Sequence, residues 1–283
     1  MVQAADFNWY GVRHGRTEGN EDRSKYKIKA DHAMRLTSGG IEQAKRAGAF
    51  LAERLYAQYL RDPENFGKIR LWHTPYYRGR ETSFYILEAL AENFGEDILS
   101  YREDAFLFEQ KAGVYDGVED GKYAEVDPIA FADYEKHITH YGRAYARTPL
   151  GESRMEVVQR VKPHFGTILR DRDTKNIRHV IDVTHGVTVR AEVMSWMHYP
   201  PEWMDAEKNP GNCWVRYIHG NSTQGYRDRG YIYRDGKKPI SRSKTQRHLK
   251  GADNVYMLKP QRPNGIVPPG IKTVDPFAKH RAA

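Results

Sequence analysis

Two apolar runs far apart in the chain end alike: FNWYGVRHG closes on His14 and a glycine, HVIDVTHG on His185 and a glycine. Runs of this kind read as buried strands. Where such strands alternate with helical patterns, the chain folds as a mostly parallel sheet with helices on both faces. Groups just past the carboxyl ends of those strands face the crevice where open sheets take their ligands. Glycine lets the backbone approach an anion closely, and Arg13 supplies a permanently charged fork matched to phosphate oxygens. A histidine so placed can attack phosphorus, giving a covalent phosphohistidine that water then hydrolyses.

The intervening pattern completes the alternation. A strand is predicted over Phe7–Arg13, then a helix from TSGGIEQAKRAGAFLAERLYAQYL, with Ile41, Ala44, Ala47, Phe50, Leu51 and Leu55 on one face and Thr37 or Ser38 as N-cap. KIRLWHT reads as a short strand, about Tyr76–Asn93 as a helix, and Phe106–Glu109 as extended. The stretch from Lys111 to Tyr145 is polar, aromatic and punctuated by Gly and Pro, an insertion covering a site. A long helix beginning at Gly151-Glu152-Ser153 and reaching Asp171 should kink or split at Pro163. His179–Thr184 reads as a strand, the residues after His185 as a helix, and Cys213–Ile218 as a strand. The fold class is a three-layer α/β/α sandwich with a mostly parallel sheet. Residues 1–220 form the expected catalytic domain, with the insertion at about 111–145. Residues 221–283 form a basic C-terminal extension, hairpin-like in GYRDRGYIYRDGKK and then proline-dotted, partly extended or disordered.

Composition removes several alternatives. Cys213 is the one cysteine, which rules out an internal disulfide framework and points to a reducing, cytoplasmic compartment. No HExxH or comparable spacing occurs among the 12 histidines, so neither a metal ion nor a cofactor is expected. No uncharged apolar run reaches the length of a membrane span, and no basic-then-apolar leader precedes the first strand. The net charge of +8 is concentrated downstream: from Arg216 onward, 15 lysines and arginines face 4 carboxylates. Interleaved with Tyr226, Tyr231, Tyr233 and Tyr256, that charge leaves open a second class of function, polyanion or nucleic-acid binding through the tail. Assembly into a homo-oligomer is also left open.

Taken in order, RHGRTEGN, LTSGGIEQA, TPYYRGRET, LFEQKAGVYDG, PLGESRMEVVQRV and VTHGVTVR resemble the histidine phosphatase superfamily, in its phosphoglycerate-mutase-like branch, over about residues 7–218. The resemblance implies that His14 is the nucleophile and that Arg13, Arg78 and His185 complete a phosphate pocket, with Gly186 beside it. Asn20, assisted by Thr17, would hydrogen-bond the transferred phosphoryl group, and Asn212 matches a position near the pocket floor. Glu109 matches the general acid/base; Glu152 is the rival, read here as a first-turn helix residue at the positive end of the dipole. Arg16 stands where many relatives carry Glu or Gln, and Thr74 where they carry Ser; Gly39, Gln43 and Ala44 are assigned to packing. The substrate is expected to be a small phosphorylated metabolite. The stretch FEQKAGVYDG lacks the ERHYG-type signature of mutases, and Asp116, Glu119 and Asp120 suit a second phosphate poorly. Phosphomonoester hydrolysis of the broad-range acid phosphatase type is therefore favoured over mutase or sugar bisphosphatase activity.

Overall fold

One six-stranded sheet organises the computed structural model, which describes residues 6–118, 121–221 and 223–240. The strands are β1 (Phe7–Arg13), β2 (Lys68–His73), β3 (Leu99–Glu103), β4 (Ile177–Thr184), β5 (Val215–Asn221) and β6 (Gly225–Tyr233). Their order across the sheet is β3-β2-β4-β1-β5-β6. The first four run parallel and the β5–β6 hairpin joins antiparallel on the β1 side. β1 and β4 lie at the centre because nearly every residue in each is buried, the mark of a parallel strand covered on both faces. β3 reads LSYRE and is largely exposed; an edge strand so polar has no alternation to betray it.

Two helical layers cover the faces. On one, the helices Ser38–Arg61 and Tyr77–Ala91 pack Leu51, Leu55, Ile86 and Leu90 against Tyr10, Val12, Ile69, Leu71, Ile181 and Val183. Thr37 caps the first of them, its Oγ1 accepting from the Gly40 amide at 3.2 Å. On the other, Val157, Val161 and Ile168 join Val189 and Val193 against Phe7, Trp9, Trp72 and Val180. The helix expected to run from Gly151 is split into Arg154–Arg160 and Lys162–Lys175, with Pro163 in the first turn of the second piece, where its missing N–H costs nothing. Ser153 is the N-cap and forms a capping box with Glu156. Glu152 therefore precedes the helix instead of lying in its first turn. The insertion carries its own helix, Pro128–Tyr141, and buries Tyr115 against Tyr123 at 4.4 Å between ring centroids.

The boundary expected at residue 220 falls inside a hairpin. β6 pairs along β5 from Gly225 to Tyr233, so the sheet reaches past the anticipated end of the domain. Between the two strands, buried Arg216 donates Nε to Asp228 Oδ1 at 2.8 Å and Nη1 to Glu207 Oε1 at 2.7 Å. The tyrosines read as a nucleic-acid stacking surface are largely packing residues. Tyr226 meets Phe7 and Trp196 edge-on, Tyr231 is buried against Trp214, and Tyr233 stacks on Phe50. Tyr256 and the proline-dotted segment lie outside the described residues.

Removing one partner of a buried ion pair strands the other charge, at about 3–5 kcal/mol. Asp228→Ala, which leaves Arg216 with Glu207 alone, is accordingly expected to lower the unfolding free energy by up to about that amount, and a chain ending after Gly220 to lose its cooperative transition. A truncated chain that unfolds at the wild-type midpoint would restore the boundary at 220.

Candidate active site

The register of β1 on β4 pairs Arg13 with Thr184, and the His14 amide donates to the Thr184 carbonyl at 2.9 Å. The next residue on each strand is thus a histidine. The His14 and His185 ring centroids lie 5.1 Å apart, both rings buried. His14 Nδ1 is 2.7 Å from the Gly15 carbonyl oxygen. A carbonyl only accepts, so Nδ1 carries the proton and Nε2 keeps its lone pair. Thr82 ties the loop to the pocket: its Oγ1 accepts from the Gly15 amide at 3.0 Å and donates to the Arg78 carbonyl at 2.6 Å. The loop also lies directly on the start of the Ser38–Arg61 helix. A Cβ on Gly40 would stand 2.0 Å from the Arg16 carbonyl oxygen, whereas one on Gly39 would meet only Thr37 Oγ1, at 3.8 Å. The second glycine of LTSGG is the one this contact requires.

Beside His14 the cleft encloses about 280 Å³ and is lined by Arg13, His14, Asn20, Arg78 and Glu109; His185 is fully buried behind this lining. Arg78 Nη2 lies 3.2 Å from His185 Nδ1. A guanidinium only donates, so Nδ1 accepts, and the opposite nitrogen donates to Thr74 Oγ1 at 3.1 Å. The ring of Tyr76 backs both, 4.9 Å from the Arg78 guanidinium carbon and 5.0 Å from the His185 centroid. Arg13 donates Nη1 to the Pro210 carbonyl at 2.6 Å, while its buried Nε has no partner. Asn212 Nδ2 donates to the His14 carbonyl at 2.9 Å and to Asn20 Oδ1 at 3.3 Å, holding Asn20 against the loop that carries His14. Glu109 Oε2 stands 3.8 Å from His185 Nδ1. It rides on an irregular segment fastened by three side chains. Thr184 donates to the Leu107 carbonyl at 2.6 Å, and Thr188 and Arg160 donate to the Phe108 carbonyl, each at 2.8 Å.

Burial and the two guanidinium groups act together on the titratable side chains. Desolvation first, then Arg78 and Arg13, hold His14 well below the usual histidine range; the same causes, with His14 itself, depress His185. Burial pushes Glu109 up, opposed only in part by the Gln110 amide, Arg78 and Arg13. Both imidazoles thus stay neutral to lower pH than a free histidine, and the Glu109 carboxyl keeps its proton to higher pH than a free glutamate.

Not every residue expected at the site reaches it. Thr17 is fully buried behind the wall, its hydroxyl accepting from the Asn20 amide at 3.1 Å; it caps the turn Glu18–Glu21 and is not a substrate contact. Gly186 offers only backbone, and a Cβ there would come within 3.1 Å of Asn209 Oδ1. Glu152 lies outside the cleft, bound to Arg160 Nε at 3.0 Å and the Lys111 amide at 3.0 Å. Arg16 points away, 3.9 Å from Glu21. Tyr26 and Asp31 carry no signal in the sequence and line the cleft from short 3-10 turns, whereas Tyr115 and Asp116 belong to the stretch after Glu109 expected to cover the site.

Among the described residues, one set of ligand-type side chains converges within 4.8 Å: buried His164, Asp182 and Glu192. It lies outside the cleft, and its histidine already bridges two carboxylates, Nδ1 at 2.8 Å from Asp104 and Nε2 at 3.2 Å from Asp182. Burial opposes that charge, but Asp182 and Asp104 prevail and raise the imidazole to about 10. A protonated imidazole thus fits this cluster as it stands.

Gly40→Ala is expected to cost about 1–3 kcal/mol, the usual penalty for overpacking, and to impair turnover by shifting the loop that carries His14. Gly39→Ala should do neither. Thermal midpoints and turnover of the two variants, compared side by side, check the contact; equal effects would contradict it.

A family model for the histidine phosphatase superfamily, branch 1, matches residues 9–226. Among curated relatives, a phosphoglycerate mutase-like protein of Arabidopsis thaliana is 29% identical over 216 residues. That match covers 73% of this chain and 63% of the relative, so the chain spans less than two thirds of that protein's length. A broad-range acid phosphatase of Saccharomyces cerevisiae is 24% identical, over 71% of this chain and 81% of its own. Among solved structures, a mycobacterial glucosyl-3-phosphoglycerate phosphatase superposes with a TM-score of 0.57 at 19% identity, covering 79% of this chain and 97% of that one; at such identity the likeness is one of fold.

Proposed function

The chain belongs to the histidine phosphatase superfamily, and we propose that it hydrolyses small phosphomonoesters through a phosphohistidine on His14. The observation that carries this reading is the tautomer: with Nδ1–H held by the Gly15 carbonyl and the ring kept neutral by burial, Nε2 is a free lone pair on the cleft side of the loop. Attack of Nε2 on phosphorus breaks the ester P–O bond and leaves an alkoxide. Glu109, biased toward its protonated form, gives that oxygen its proton. The resulting carboxylate then takes a proton from water as the water displaces phosphate from His14. Arg13 and Arg78, both on the cleft wall, stabilise the charge on the equatorial oxygens. His185, whose Nδ1 accepts from Arg78 Nη2, holds that guanidinium in place against the phosphoryl oxygens.

Hydrolysis is favoured over mutase chemistry because a mutase must hold a second anionic group at the far end of the cleft. Arg23 lies there, but its Nη1 is spent on the Val118 carbonyl at 2.9 Å, and carboxylates of Asp31 and Asp116 share the wall. Glu119 and Asp120 lie outside the described residues. Metal independence, a cytoplasmic setting and a small phosphorylated metabolite as substrate belong to the same proposal. Among the described residues no helix is long and apolar enough to cross a membrane.

His14→Ala is expected to abolish turnover of every phosphomonoester, and rapid acid-free quench of the wild type to trap phosphate on His14. Residual turnover near the wild-type rate would overturn the mechanism.

The pH profile follows from the two shifts. His14 is depressed, so the nucleophile stays free until pH falls below the ordinary histidine range. Glu109 is raised, so the acid is retained above the ordinary carboxyl range and lost as pH rises through its elevated value. With an alkyl phosphate, kcat/KM should therefore fall on the alkaline side. Glu109→Gln should remove that limb and slow the alkyl ester by about two to four orders of magnitude. 4-Nitrophenyl phosphate, whose leaving group needs no proton, should lose much less; equal losses would remove Glu109 from the role.

A further inference from the structure

The guanidinium meant for the phosphoryl group is already occupied. Arg78 Nη1 donates to Asp31 Oδ1 at 2.8 Å and to the Asp31 carbonyl at 2.5 Å, and Nη2 donates to Asp31 Oδ2 at 3.1 Å. This is the two-point pairing a guanidinium makes with a carboxylate or, equally, with a phosphate. We propose that the Asp31 carboxylate is an internal stand-in for the substrate: it closes the Arg78 fork in the free protein and is displaced when a phosphoryl group binds. The proposal rests on the phosphatase reading only in taking Arg78 as a phosphate ligand.

Displacement falls on the carboxylate because the two partners differ in how they are held. The Arg78 side chain is 3% exposed and packed by Tyr76 and His185, whereas that of Asp31 is 34% exposed on the three-residue turn Asp31–Ala33. A carboxylate swung outward is rehydrated. A guanidinium swung away would strand a buried cation or drag it through the core. The Asp31 backbone carbonyl would go on holding Nη1, so the fork keeps its aim after the side chain leaves. An arriving dianion carries twice the charge of the carboxylate and repels it across the same fork. The resting contact thus lowers the affinity of the cleft for any anion, in proportion to the fraction of molecules in which the fork is closed. Product phosphate leaves faster for the same reason.

The test uses the full-length chain and inorganic phosphate as the probe, with binding followed by calorimetry and inhibition by orthovanadate followed kinetically. In Asp31→Asn and in Asp31→Ala, phosphate binding should tighten about tenfold and KM for 4-nitrophenyl phosphate should fall in step. Asp116→Asn is the control for charge alone, because Asp116 lines the same cleft while its Oδ1 accepts from the Ala112 amide at 2.9 Å. It should shift binding by less than about threefold. Equal tightening in the Asp116 variant would mean that a diffuse field is responsible, and unchanged or weaker binding in both Asp31 variants would mean that Asp31 holds Arg78 in place. Either result overturns the proposal. Failure to trap phosphate on His14 would instead count against the hydrolytic mechanism, since equilibrium phosphate binding does not depend on that step.

Discussion

The hydrogen bond from the His14 amide to the Thr184 carbonyl continues the β1–β4 ladder past the end of β1. Two imidazoles, contributed by segments far apart in sequence, are set side by side by that continuation. A register slip of one residue would turn every side chain of β1 to the opposite face. The alternation of the core prevents it. Tyr10 and Val12 belong to one helical layer, Phe7 and Trp9 to the other, and neither set could exchange places without misfilling two cores packed around different side chains. The catalytic geometry is therefore a by-product of how the sheet buries its two faces.

The same burial sets the chemistry. Desolvation keeps both imidazoles neutral and Glu109 biased toward protonation, although guanidinium groups pull the carboxyl the other way. A solvated cleft with the same residues would hold a more acidic carboxyl and a more readily protonated histidine. Three side chains that never face the cleft maintain the arrangement. Thr82 links the His14 loop to the backbone of Arg78, Thr74 receives the His185 ring proton, and Arg160 fastens the segment before Glu109.

How far the sequence reveals this depends on periodicity. β1, β4 and the long helix after Thr37 are legible because each has a strong apolar pattern and a recognisable end. The residues at two of those ends, His14 and His185, can be placed for the same reason, whereas Arg78, in the first turn of the Tyr77–Ala91 helix, is placed only by the resemblance of TPYYRGRET to the family motif. β3 is hidden by its polarity, and the boundary expected at 220 falls within the sheet because the hairpin read in GYRDRGYIYRDGKK begins on β5, before Gly220, and pairs back along it. Asp31 and the tyrosines of the outer cleft sit on irregular backbone, where position in sequence says little about position in space. Thr17 illustrates the opposite error: a hydroxyl close to the nucleophile in sequence is consumed by a helix cap.

The topology also bears on how the protein is made. β1 is synthesised before the other strands of the described sheet, yet its neighbours there are β4 and β5. The Trp9 indole finds its partner, Asp182, 173 residues later. Until that segment has been synthesised, a strand of the composition FNWYGVR has no ladder to join and exposes its aromatic side chains. Pairings of such long range form slowly and leave apolar edges open while they wait. Among the strands of the described sheet, β1, the one that ends at His14, thus has the longest interval in which to be shielded by a chaperone or lost to aggregation.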